Sequence, residues 1–224
     1  MNNKSQKAEI IPFNPLDKKN LGASVAEALV SQPAHPLGTI TPFFGAGIYA
    51  IYYHGQHAAY SQIADANRVD ATNPSIPIYV GKAVPQGARK GKVMPDPTRS
   101  KAVFNRLQEH AESILATETL HIDDFTCRYL VVDEIWIPLG ESLMIAKFSP
   151  LWNLIVEGFG NHDPGSGRYN GLRPRWDTLH PGRAWALKCK ERSESDDEIA
   201  REVRNHLAST ALPATPHFIG RHDL

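Results

Sequence analysis

Cysteine is scarce in this chain: Cys127 and Cys189 are the two present among 224 residues. Neither stands in a CxxC pair, so a zinc centre is not expected, and two isolated thiols suit a reduced, cytosolic protein better than a disulfide scaffold. Long apolar runs are missing too. No stretch approaches the roughly 20 residues needed to cross a bilayer. The polar segment from Met1 to Glu9 places no apolar block behind a basic one, so neither a membrane partner nor a secretory signal is expected. Internal repeats are absent. So is net charge, because 24 Lys and Arg balance 24 Asp and Glu, and a zero sum argues at first against a nucleic-acid partner.

What is present changes that view, because the charges are segregated. Lys82 to Arg106 holds seven basic residues (Lys82, Arg89, Lys90, Lys92, Arg99, Lys101, Arg106) against Asp96. Asn161 to Arg192 holds seven basic and three acidic residues, whereas Glu109 to Ser142 holds eight acids against Arg128. The acidic stretch reads as solvated surface. Two separate basic blocks on a neutral chain point to phosphate as a partner. The length fits one domain with decorations, and a hydrophobic content of 42% supports a real core.

The chain is organised around Phe44 to Lys82, where two β-branched, aromatic segments bounded by Gly or Pro read as strands. The first runs Gly45-Ala46-Gly47-Ile48-Tyr49-Ala50-Ile51-Tyr52-Tyr53 and the second Ile76-Pro77-Ile78-Tyr79-Val80-Gly81-Lys82. Alternation puts Tyr49 on one face with Ile51, and pairing of the segments would bring the Tyr49 and Tyr79 hydroxyls to one sheet surface. Ahead of them the pattern predicts a loose arm over 1–12, a helix over about 16–31 stopped by Pro33 and Pro36, and a loop over 33–42. A helical turn is expected around 60–67. The Gly, Pro, Lys and Arg of 84–99 read as a mobile basic loop. Further elements are a helix over about 100–116 (Val103, Leu107, Ala111 and Ile114 at core spacing), a third strand over 125–132, a helix opened by Pro138, and a last helix over about 195–209. Ser195 and Glu198 stand at capping-box spacing at the start of that last helix.

Gly47-Ile48-Tyr49 followed by Tyr79-Val80-Gly81 resembles the GIY-YIG nuclease family, with Val80 one methylene short of the family's Ile. The resemblance continues in order: Arg106 and His110 on the next helix, Glu141 in the first turn of the helix opened by Pro138, and Asn153 in Ser149-Pro150-Leu151-Trp152-Asn153. It implies an α/β (α+β) fold, in which a small, mainly three-stranded antiparallel sheet is flanked by helices. That core would occupy 44–155 with a basic insertion at 83–99. An N-terminal arm and helix (1–43) and an Arg- and aromatic-rich recognition loop with a C-terminal helix (156–224) would complete one compact domain.

The chemistry implied is phosphodiester hydrolysis. Glu141, the one carboxylate that the match supplies, would hold a single divalent cation, Mg2+ with Mn2+ as a substitute. Arg106 would hold the attacked phosphate, and Tyr79 would hydrogen-bond the phosphate or the water. Asn153 would fix Glu141 or the backbone. Tyr49 or His110 would be the general base, with the cation, Arg106 and Lys82 lowering the phenol pKa from its usual value of about 10. The lone-nuclease layout, and the segment Trp176 to Arg183, look similar to the type II restriction-endonuclease branch. Some members of that branch cut the palindrome CCGCGG, which implies duplex DNA as substrate, a homodimer and a cytoplasmic enzyme. A structure-specific repair nuclease and a non-catalytic DNA-binding module are the alternatives. A PD-(D/E)xK site lacks its acidic-x-Lys element after Pro95-Asp96, and an HNH site built from His162, Asn170 and His180 lacks strand signals around it.

For DNA contact the candidates are Lys82, Lys90, Lys92, Arg168, Arg173, Arg175 and Arg183. Arginine suits bidentate reading of guanine. Pro174, Trp176 and Pro181 would stiffen the surroundings of Arg173, Arg175 and Arg183, whereas Lys90 and Lys92 lie in a segment suited to tracking phosphates. Replacing Lys90 and Lys92 by alanine is therefore expected to weaken cognate and scrambled duplexes alike. A salt series of binding in Ca2+ should show the log–log slope reduced by roughly one per lost contact.

Overall fold

The seven residues from Gly47 to Tyr53 are all buried, which a strand achieves only when both of its faces are covered. The computed structural model describes residues 14, 16–85, 99–210 and 212. In it this segment is β2, central in an antiparallel sheet between β3 (Pro77–Ala83) and β4 (Phe125–Val131). β4 pairs on its outer side with a two-residue strand, β1 (His35–Pro36), so the order is β1-β4-β2-β3. The three strands expected from the sequence are present, and the fourth lies inside the segment expected to be loop. Two residues offer no alternation to detect, and Pro36 brings no backbone donor to a ladder.

Among the described residues the helices are α1 (Lys18–Val30), α2 (Ser61–Arg68), α3 (Ala102–Leu115), α4 (Ile137–Phe148), α5 (Leu151–Leu154), α6 (Arg175–Leu179) and α7 (Asp196–Ser209). α7 opens with the capping box formed in both directions between Ser195 and Glu198. The expected arm over 1–12 and most of the basic insertion, including Lys90 and Lys92, lie outside the described residues. No described helix is long and apolar enough to cross a membrane.

Alternation along β2 sorts the core into two layers. Ile48, Ala50 and Tyr52 face Ala26 and Leu29 of α1 and Ile137, Met144 and Phe148 of α4. Tyr49, Ile51 and Tyr53 face Val103, Leu107, Ala111 and Ile114 of α3, with Trp152, Trp176, Ile199 and Val203 behind them. The stretch from Trp176 to Arg183 is therefore largely interior. Trp176, Asp177, Leu179, His180 and Arg183 are all buried.

His180 shows what that interior requires. Both ring nitrogens are engaged, Nε2 with the Tyr60 hydroxyl at 2.6 Å and Nδ1 with the Thr119 hydroxyl at 2.8 Å. Burial, reinforced by the charge His57 can carry, holds its pKa well below the ordinary histidine value. The ring is thus neutral in the folded protein, while in the unfolded chain it takes a proton below about pH 6.5. The contribution to stability is complete above that pH and is lost as pH falls further, because the unfolded state then binds more protons. A His180→Asn variant, less stable at every pH, should therefore lose about 1 kcal/mol less than wild type between pH 6.5 and 5.5, as read by urea denaturation at the two pH values.

Candidate active site

Strand register assembles the first part of the site. Tyr49 stands opposite Gly81 and Ile51 opposite Tyr79, so the two tyrosines share a sheet face with ring centroids 6.4 Å apart. The Tyr49 ring lies over Gly81 so closely that a Cβ there would overlap its hydroxyl and ring carbons. Glycine is needed at that position for clearance. The motif glycine and the motif tyrosine are two halves of one contact.

α3 brings the next two groups across that face. The Tyr49 hydroxyl and His110 Nε2 are 2.7 Å apart, and both side chains are buried. Phe159 stacks on the imidazole at 4.5 Å and 18°. One helical turn earlier, Arg106 donates through Nη1 to Glu109 Oε2 at 2.6 Å and to His162 Nε2 at 2.5 Å, and through Nη2 to the Gly160 carbonyl. From the other side of the sheet, Glu141 in the second turn of α4 pairs with Lys82 of β3 at 2.5 Å. Glu141 is half-buried and Lys82 exposed. Asn153 of α5 accepts from the Val80 amide and donates to the Val80 carbonyl, both at 2.8 Å. It fixes the backbone between Tyr79 and Gly81. All six residues expected at the site, Tyr49, Tyr79, Arg106, His110, Glu141 and Asn153, meet at the β3 edge of the sheet.

The electrostatics depart from expectation in one respect. Burial, then the neighbouring Tyr79, push the Tyr49 hydroxyl well above its ordinary pKa, and the opposing pull of Arg106 does not reverse this. Burial also pushes up Tyr79. His110 is held well below the usual histidine value by burial, then by Arg106 and Arg183. The pair is therefore a protonated phenol beside a neutral imidazole.

The basic residues outside this centre divide sharply. Lys82 and Arg168 are exposed. Arg173 bonds the Ala186 carbonyl at 3.2 Å and lies 3.8 Å from Glu191. Arg175 is tied to Glu202 at 2.5 Å, Glu194 at 3.3 Å and the Ile155 carbonyl at 2.8 Å. Arg183 is buried between the rings of Trp176 and Trp185. It spends every donor internally: on both Asp177 oxygens, at 2.6 and 2.5 Å, and on the carbonyls of Gly158, Phe159 and Asn161. Its expected place among base-reading arginines gives way to that of an internal strut. Composition cannot tell an arginine aimed at DNA from one aimed inward; Asp177, six residues before Arg183, is the signal that the sequence holds. His162, weighed in the sequence only for an HNH site, stands at this centre on Arg106.

Among the described residues no cluster of three His, Cys, Asp or Glu side chains is placed to hold a metal. The Glu141 carboxylate is engaged by the Lys82 ammonium, and a lone carboxylate of this kind fits a hard cation that retains most of its water.

Paired antiparallel strands bearing the two tyrosines, closed by α3 and α4, form the catalytic core of a GIY-YIG nuclease. A family model, the Eco29kI GIY-YIG domain, matches residues 41–207. The chain belongs to that family and is a nuclease of the restriction type. No curated protein matches the chain. The family match runs on through the 158–183 segment, whose carbonyls reach Arg106 and Arg183.

Gly81→Ala tests the Tyr49 contact directly. The added methyl must displace the Tyr49 ring, so overpacking should cost about 1–3 kcal/mol. A hydroxyl moved by about 1 Å should slow cleavage on the order of 100-fold. Thermal melting and single-turnover digestion of plasmid DNA measure the two effects separately.

Proposed function

We propose that this protein is a type II restriction endonuclease. It hydrolyses both strands of duplex DNA at a GC-rich palindrome such as CCGCGG, acting in the cytoplasm as a homodimer with one active site per strand. The observation that carries the chemistry is the buried Tyr49–His110 pair, 2.7 Å apart, in the electrostatic reach of Arg106 and Glu141.

Arg106 binds the scissile phosphate and offsets the charge that develops on it. Tyr49 aims the attacking water and takes its proton while passing its own phenolic proton to Nε2 of His110, so no free phenolate forms. The proton then rests on His110 as an imidazolium, whose charge faces the negative charge developing on the phosphate. Tyr79, beside Tyr49 and under the influence of Arg106, hydrogen-bonds the phosphate or the water. Asn153 keeps β3, and with it Tyr79, in place. Glu141 would hold one Mg2+, with Mn2+ as a substitute, and such an ion supplies charge stabilisation at the leaving oxygen. Lys82, Lys90 and Lys92 are assigned to phosphates. Arg168, exposed, is assigned to base contact, while Arg173 and Arg175 would first have to exchange their carboxylate partners for DNA.

Plasmid digestion with Mg2+ tests the reading. Discrete fragments with one end sequence are expected, whereas cuts confined to flaps or bubbles would mean a repair nuclease. Tyr49→Phe should lose at least 100-fold in rate at unchanged melting temperature, the size of effect typical of acid–base groups. Glu141→Ala should abolish cleavage and leave duplex binding in Ca2+-free buffer within about threefold, since phosphate contacts made by Arg and Lys carry the affinity. Cleavage by Glu141→Ala at near the wild-type rate would make that carboxylate only the ion-pair partner of Lys82 and misplace the cation.

A further inference from the structure

We propose that His162, acting with the Gly160 carbonyl, is the positioning residue that sets the guanidinium of Arg106 for the phosphate; the proposal rests on the assignment of Arg106 above. A guanidinium has five N–H donors in a fixed plane. Glu109, three residues along α3, meets Nη1 at 2.6 Å and by itself would draw the group down along the helix surface. His162 and Gly160 approach from the facing wall. His162 Nε2 lies 2.5 Å from the same Nη1, and the Gly160 carbonyl accepts from Nη2. Held from two walls, the plane is fixed, which leaves Nε and the remaining Nη2 hydrogen for the Tyr49 and Tyr79 hydroxyls, with which Arg106 interacts, and for a phosphate. An N–H donor beside it requires His162 to offer a lone pair, as the neutral ring does.

The facing wall is built to hold this posture. Arg183 gathers the carbonyls of Gly158, Phe159 and Asn161 at 2.9 to 3.1 Å. Phe159 is clamped against His110 at 4.5 Å. At Gly160 a Cβ would overlap the Tyr79 hydroxyl and come within 3.5 Å of Arg106 Nη2, so the carbonyl reaches Arg106 only because no side chain stands there. His162 itself is 65% exposed. It contributes little packing, and that sets its effect on catalysis apart from an effect on the fold.

His162→Ala and His162→Gln should be compared in Mg2+-dependent plasmid cleavage over a series of DNA concentrations, alongside thermal melting. Alanine should lower kcat about 10- to 100-fold, as loss of an orienting partner does, with KM within about threefold and the melting temperature unchanged. Glutamine, whose carbonyl can accept the same bond, should recover most of the rate. In an Arg106→Ala background, adding His162→Ala should change the residual rate by less than about twofold, because the two act through one group. An unchanged kcat for His162→Ala, equal losses for alanine and glutamine, or a full additional loss without Arg106 would each overturn the proposal. An Arg106→Ala protein that still cleaves at the wild-type rate would instead overturn the assignment of Arg106.

Discussion

A buried ion pair, Arg183 with Asp177, holds up one whole side of the active site. An arginine inside a protein is tolerated only when its donors are all taken, and here a carboxylate and three backbone carbonyls take them. Those carbonyls belong to the turn that presses Phe159 on His110 and points Gly160 at Arg106. Groups of the candidate site are thus braced in series: Tyr49 by His110, His110 by Phe159, Phe159 by Arg183. Breaking a buried pair by removing one partner costs about 3–5 kcal/mol, so the wall is also among the most expensive parts of the molecule to disturb.

Such bracing holds a phenol and an imidazole together in a dry place. Excluding water raises the cost of charge on either ring, and each is held in its neutral form. Their two polar atoms nevertheless stand at hydrogen-bond distance, the geometry that proton exchange requires. The charges needed for phosphate chemistry stand at the periphery, on Arg106, Lys82 and Glu141, all less buried than the rings.

Much of this arrangement is legible in the amino-acid sequence, and for physical reasons. Alternation along 47–53 reports two faces, and both faces are covered as the pattern requires. Ser195 and Glu198 signal a helix start because the cap is local, and it forms as spaced. The candidate set from Tyr49 to Asn153 is picked out by family likeness, because those side chains keep their order along the chain, and the fold brings them together. What escapes a reading of the chain is long-range. β1 exists only because β4 offers it an edge. The inward turn of Arg183 depends on Trp176, Trp185 and Asp177 closing around it. His162 meets Arg106 across 56 positions, with no periodicity to announce it. Asn153 could steady either Glu141 or the backbone, and only the approach of α5 to β3 decides for the backbone.

That last contact reaches beyond catalysis. Among the described residues β3 is the outermost strand on its side of the sheet, where unpaired amides and carbonyls would ordinarily invite a foreign strand to dock. At Val80 the carboxamide of Asn153 already occupies both groups, imitating one rung of a strand that is not there. The edge that carries the chemistry is thereby closed to β-augmentation at its midpoint. A further strand cannot continue the sheet through Val80 without first evicting Asn153.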